Sequence, residues 1–235
     1  MAISYNPSIV VSGLSFCSDA ANIKCYNSGI STTNWNDLTS TVGVGSLTNG
    51  ATFNSSNLGS ITFDGTNDYI SVPNSTLLNP GTGSFSVVVW VNSDPSNGGD
   101  GWDMWVTKRS ATNNGYLIGA LNPSGVRFSA GNNASTRVDT GFVSYTYNTW
   151  AMFTGILDRG SNVQSIVKNN NQETATATPA GGTYSNASNL SIGGDSNLNA
   201  FYVNGKVAYV AIYNKALTTE EISQNFNALR GRFGV

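Results

Sequence analysis

Histidine does not occur in this sequence. That absence removes the imidazole a nucleophilic triad uses as its base, and with it the commonest nitrogen ligand of zinc. Cysteine is confined to Cys17 and Cys25, which flank the polar stretch 18–24 without forming a CxxC pair. A bridge between them would close a short loop, worth roughly 2–3 kcal/mol; two reduced thiols are the expected state of a chain made in the cytosol. Charge is scarce too: 10% of residues are charged, 11 basic against 13 acidic, for a formal net charge of −2. The basic residues stand singly, so no stripe tracks a phosphate backbone, and nucleic acid is not an expected partner. No apolar run reaches the roughly 18 residues of a membrane helix. The opening residues Met1–Ser8 lack the basic and apolar segments of a secretory signal, so neither membrane insertion nor classical export is expected.

Glutamate is the rarest acid, present only as Glu173, Glu220 and Glu221. A glycoside hydrolase needs two carboxyl groups about 5–10 Å apart, which on one strand means acids at i and i+2 or i+4. No strand-like run carries such a pattern of glutamates. Asp64 and Asp68 have the spacing, but they flank the turn Gly65-Thr-Asn67 and read as turn formers.

What is present is apolar alternation. Runs at Ile9–Phe16, Ser60–Phe63, Tyr69–Val72, Ser84–Val91, Met104–Lys108, Tyr116–Leu121, Val126–Ala130, Trp150–Leu157, Val163–Val167, Leu190–Ile192 and Val207–Tyr213 are separated by Asn, Gly, Ser and Pro. Short strands at this spacing predict an all-β, antiparallel two-sheet sandwich. Its 235 residues suit one large sandwich of about 200–250 residues. In Ser84–Val91 the alternation gives way to unbroken apolar residues, as in a strand buried on both faces; it and Trp150–Leu157 are the expected sheet centres. Asn49-Gly50, Asp64-Gly65 and Asn204-Gly205 supply the positive φ of hairpin turns. The polar segment Gln172–Ser188 reads as a long surface loop.

One short helix is expected at the C-terminus, over 218–230. Thr218 and Glu221 form a capping box, Leu217 and Ile222 a hydrophobic staple, and Gly231 a stop. Ile222, Phe226 and Leu229 give it one apolar stripe, so it packs on the sandwich.

Two loops are candidates for ligand binding, because recognition commonly sits on loops of a rigid scaffold. In Asn97-Gly-Gly-Asp-Gly-Trp-Asp-Met-Trp105, Asp100 and Asp103 bracket Trp102 and precede Trp105. Carboxylates there could hold a sugar hydroxyl or a Ca²⁺ ion, which takes oxygen ligands, and an indole can stack on a pyranose. The alternative is that the tryptophans plug the edge of the sandwich. Asp195, Asn197 and Asn199 in Gly194–Ala200 form the second set.

Four stretches carry a resemblance. Ser12-Gly-Leu-Ser-Phe-Cys-Ser-Asp-Ala-Ala-Asn22 with Thr33-Asn-Trp-Asn-Asp-Leu38 is similar to the opening of laminin-G-like, concanavalin A-like domains of tailed-bacteriophage structural proteins. Gly59–Val72 resembles that family's strand–turn–strand, Ser84–Val91 its central strand, and Asn204–Val235 its last strand and capped helix. The first and last stretches point to phages; bacterial surface proteins share the middle two. The resemblance implies a single jelly-roll domain over 1–235, with an N-terminal arm at 1–8, and a non-enzymatic virion surface protein whose rim loops bind host-surface glycans, with no required cofactor. The alternative is a purely structural decoration protein that contacts only other virion proteins; a polysaccharide-degrading enzyme or a bacterial adhesin stands further off. A place on a symmetric particle implies a homo-oligomer.

Overall fold

Strands that are apolar on both faces need a cover on each side, and the structure supplies both. The computed structural model describes residues 8–94, 101–132 and 136–235. They form the expected all-β, two-sheet antiparallel jelly roll with one short helix. The first sheet runs β14 (Glu173–Ala177), β13 (Val163–Lys168), β12 (Ala151–Asp158), β7 (Phe85–Ser93), β16 (Asn204–Tyr213), β5 (Ser60–Asp64), β4 (Thr52–Asn54), and β1 (Leu14–Asp19) also pairs with β16. The second runs β11 (Val138–Asp139), β10 (Gly125–Gly131), β9 (Gly115–Leu121), β8 (Trp102–Arg109), β15 (Leu190–Ile192), β6 (Tyr69–Val72), β3 (Val44–Thr48), β2 (Asn34–Asn36).

Strand β7 shows why its sequence loses alternation. Val87, Val89 and Val91 enter the core between the sheets, where they join Phe85, Trp105 and Phe128. Val88 and Trp90 point the other way, into a second cluster with Ile222, Phe226 and Leu229 of helix α1 (Thr219–Leu229). Trp90 is stacked by Phe226 at 5.6 Å and by Phe233 at 4.4 Å. The helix thus covers the back of the first sheet, while no helix among the described residues covers the back of the second.

The capping box is formed as read: the Thr218 hydroxyl accepts the Glu221 N–H at 3.3 Å, and the Glu221 carboxylate accepts the Thr218 N–H at 3.1 Å. Thr218→Ala is expected to cost about 1 kcal/mol, visible as a lower guanidinium midpoint with an unchanged slope. Asn225, absent from the predicted stripe, is fully buried. It accepts the Val10 N–H at 2.8 Å and donates to the Tyr213 hydroxyl at 3.2 Å, so one amide clips the segment before β1 to the helix.

Four sequence expectations need correction. Asn204-Gly205 is no turn but the start of β16, paired with β5 and β7. Glycine is needed there because a Cβ would stand 2.5 Å from the Asn92 carbonyl. Part of Gln172–Ser188 is edge strand β14, whose Thr/Ala alternation is too weakly apolar to read as buried. The first strand starts at Leu14 rather than Ile9, beyond a turn at Gly13 (φ 76°). Helix α1 passes into a 3₁₀ turn, Arg230–Arg232, so Gly231 does not stop it; the left-handed glycine is Gly234 (φ 71°). Both cysteines are free: Cys17 lies in the cluster beneath the helix and Cys25 in the core between the sheets.

Candidate functional site

The back of the second sheet is assigned by register. On β9, Tyr116, Ile118 and Ala120 enter the core. Their partners on β8 are Lys108, Val106 and Asp103, so these also point inward, and Trp102, Met104, Thr107 and Arg109 point outward. Alternation puts Trp105, three residues after Trp102, on the inward face, and an irregularity between Met104 and Val106 turns Val106 inward beside it. The candidate Trp102, Asp103 and Trp105 are therefore strand residues divided between two faces, not members of one loop.

Trp105 is 0% exposed and packs on Tyr145 and Phe153 at 5.3 and 5.1 Å. An indole with no accessible face cannot stack on a sugar, so Trp105 belongs to the core. Asp103, also 0% exposed, lies toward Tyr145 and Tyr147. Burial pushes both phenols up to about 12, and the Asp103 charge acts in the same direction. Asp100 lies outside the described residues, as do residues 1–7 of the arm. The Ca²⁺ pair would thus join Asp100 to a carboxylate turned inward. Among the described residues no three His, Cys, Asp or Glu side chains are grouped to hold a metal.

Trp102 is half-buried on the outer face, in company the sequence reading missed. Arg127 of β10 stands opposite Gly119, where no side chain blocks it, and its guanidinium lies 4.3 Å from the Trp102 ring centre and 5.6 Å from that of Phe142. Arg127 and Arg137 share one carboxylate, Asp139, at 2.9 and 3.1 Å. Burial lowers the Arg127 pKa; Asp139 opposes this, and Arg137 and Arg109 add to it. The signal was there to be used: Arg127 sits between core-bound Val126 and Phe128, which in a strand turns it outward, and Arg137 and Asp139 at i and i+2 share a face.

The second set lies at the far end of the same face. Asp195 is 0% exposed, bonded at 2.5 Å to Arg109, and accepts the N–H groups of Asn197 and Leu198 at 3.1 and 3.3 Å. It is the internal brace of its loop. Asn197 and Asn199 remain exposed; Asn197 donates to the Arg109 carbonyl at 3.0 Å and Asn199 accepts from the Tyr202 hydroxyl at 2.7 Å. From Trp102 to Arg109 is about 23 Å along β8 at about 3.3 Å per residue, so the structure puts these asparagines on one face with Trp102 without bringing them together.

The other carboxylates are occupied locally. Glu173 accepts from the Ser144 N–H at 2.8 Å, Glu221 caps the helix, and Asp68 accepts the Asp64 N–H at 3.2 Å across their turn.

Residues 64–223 match a laminin-G-type family model described as the concanavalin A-like lectin/glucanases superfamily. The chain belongs to this superfamily. No curated protein matched the chain. Among solved structures, this concanavalin A-like chain is similar to the binding domain of botulinum neurotoxin serotype D/C, with 16% identity and a TM-score of 0.71, covering 92% of this chain and 52% of that one. It is also similar to domain 4 of the extracellular arabinanase AbnA from Geobacillus stearothermophilus, in complex with arabinotriose, with 15% identity and a TM-score of 0.63, covering 92% and 98%. A third is the Trypanosoma rangeli sialidase, with 16% identity, a TM-score of 0.63, and coverage of 95% and 35%. The chain thus spans about half of the toxin binding domain and a third of the sialidase. At these identities the likeness is one of fold.

Proposed function

We propose that this chain is a non-enzymatic glycan-binding module exposed on a bacteriophage particle. The observation that carries the binding reading is the outer face of the second sheet, where a half-buried indole, Trp102, stands beside the Arg127–Asp139–Arg137 cluster. An aromatic face for a pyranose and forked donors for its oxygens are the two things a saccharide site needs. The arabinotriose-bound domain and a botulinum neurotoxin binding domain in complex with SialylT support a saccharide as the ligand, by analogy of fold. The non-catalytic reading is supported by where these acids are: Asp103 inward, Asp195 on Arg109 and Asp139 between two arginines.

The virion setting rests on the resemblance of the stretches 12–38 and 204–235, with other virion proteins and further copies of the chain as partners. A purely structural decoration protein is the second reading.

The test is retention of the full chain on a printed array of neutral and acidic glycans, alongside Trp102→Ala. Retention is expected for the natural chain, and about tenfold weaker binding for the variant, corresponding to about 1.4 kcal/mol of lost stacking. No retention on any glycan would leave the structural reading. Turnover of any polysaccharide would refute the non-catalytic one. Electron microscopy of particles labelled with an antibody to this chain checks the virion location.

A further inference from the structure

Among the described residues, the outer face of the second sheet carries more positive charge than its own ion pairs use. Arg109 is neutralised by Asp195 at 2.5 Å. Among the described residues, Arg127 and Arg137 have one carboxylate between them, Asp139, which leaves one guanidinium charge in excess on a chain whose formal net charge is −2. Clipping β11 to β10 would need one such ion pair, not two converging on the same acid.

The surplus is also poised. The side chains of Arg127, Arg137 and Asp139 keep 17%, 28% and 26% of their exposure, so they are neither sealed in nor free in solvent. Arg127 is held against Trp102 and Phe142, which fixes its plane before any ligand arrives. A guanidinium oriented in this way loses little freedom on accepting an oxyanion, and its planar fork matches carboxylate and sulfate geometry. A neutral sugar would leave the excess charge uncompensated and partly desolvated, which costs binding energy.

We infer that this face selects acidic saccharides, with the anionic group of the sugar held by Arg127 and Arg137 beside Asp139 and the adjoining ring carried on Trp102. The inference rests on the glycan-binding reading and names its ligand class. The carboxylate of a sialic or uronic acid and a sulfate ester share the chemistry that Arg127 and Arg137 recognise.

The experiment uses the full chain on an array of matched glycans that differ in one residue: a neutral sugar, its carboxylate-bearing counterpart, or its sulfated form. Acidic spots are expected to be retained at least about tenfold more strongly than their neutral partners, and the preference to weaken as salt rises. Arg137→Gln is expected to abolish most of that preference; Arg137→Lys, which keeps the charge but loses the fork, is expected to retain part of it. Both variants should unfold at the natural chain's temperature, because Arg127 still pairs with Asp139. Preference for the carboxylate or the sulfate spots alone supports the inference and identifies the anion. Equal retention of neutral and acidic glycans, or a preference unmoved by Arg137→Gln, overturns the inference while leaving glycan binding intact. Retention of nothing overturns both.

Discussion

Asp195→Ala is expected to lower the folding stability of this protein by about 3–5 kcal/mol, the usual cost of stranding one partner of a buried ion pair. Arg109 is 5% exposed, and its other side-chain hydrogen bond, from Nη1 to Asn113 at 2.7 Å, is to a neutral amide. The substitution also withdraws the acceptor that turns residues 197 and 198. Guanidinium denaturation would measure the loss. Because stranding the charge is the cause, Arg109→Met combined with Asp195→Leu should be far milder than either single change. If Asp195→Ala leaves the midpoint within about 0.5 kcal/mol of the natural value, in the range of surface substitutions, then Asp195 is no brace, and its candidacy as a ligand stands again.

Alkaline pH should unfold the protein steeply. Burial pushes the Cys17 and Cys25 thiols up from 9.0 to about 12 and Tyr213 up to about 12; it raises Tyr116 and Tyr209 as well. In each case the unfolded chain releases the proton first. Above the unfolded pKa the native state therefore binds more protons, and stability falls as pH rises. A tenfold change in an acid's ionisation constant is worth about 1.4 kcal/mol, so each thiol withdraws about 2.7 kcal/mol by about pH 11, or about 5 kcal/mol for both. The tyrosines add to this above about pH 10.

Lys108 has the opposite sign. Its burial lowers the ammonium to about 8 from 10.5, so between those values the unfolded chain holds the extra proton and stability rises with pH. One ammonium acts from about pH 8, two thiols from about pH 9 and the phenols from about pH 10. The expected curve is a shallow maximum near pH 9 followed by a fall that steepens. Guanidinium midpoints between about pH 7 and 11 would trace it; Lys108→Met should remove the rise, and a flat profile would contradict the assignment.

The division between what could be read and what had to be seen follows from distance along the chain. Residues 218–231 carry their own cap, staple and stripe within a few turns, so the sequence by itself determined that a helix stands there and which side it buries. Ser84–Val91 likewise announced a strand covered on both faces, because the loss of period-two alternation to an unbroken apolar run is visible without any partner. Strand β14 escaped notice because its Thr and Ala side chains at an edge bury too little to leave a pattern.

The site was another matter. Trp102 and Trp105 look equivalent when read as one loop; in strand β8 they stand three residues apart, so alternation puts Trp102 on the outer face and Trp105 in the core. Asp195 looks like a ligand until Arg109, 86 positions away, takes it up. Arg127, Arg137 and Asp139 meet Trp102 only because β8, β9 and β10 lie side by side, which the tertiary structure alone decided. The sequence determined local geometry and the choice of sandwich, since those depend on near neighbours and on apolar periodicity. Charge pairing across strands depends on register, and register is settled when the two sheets close on their shared core.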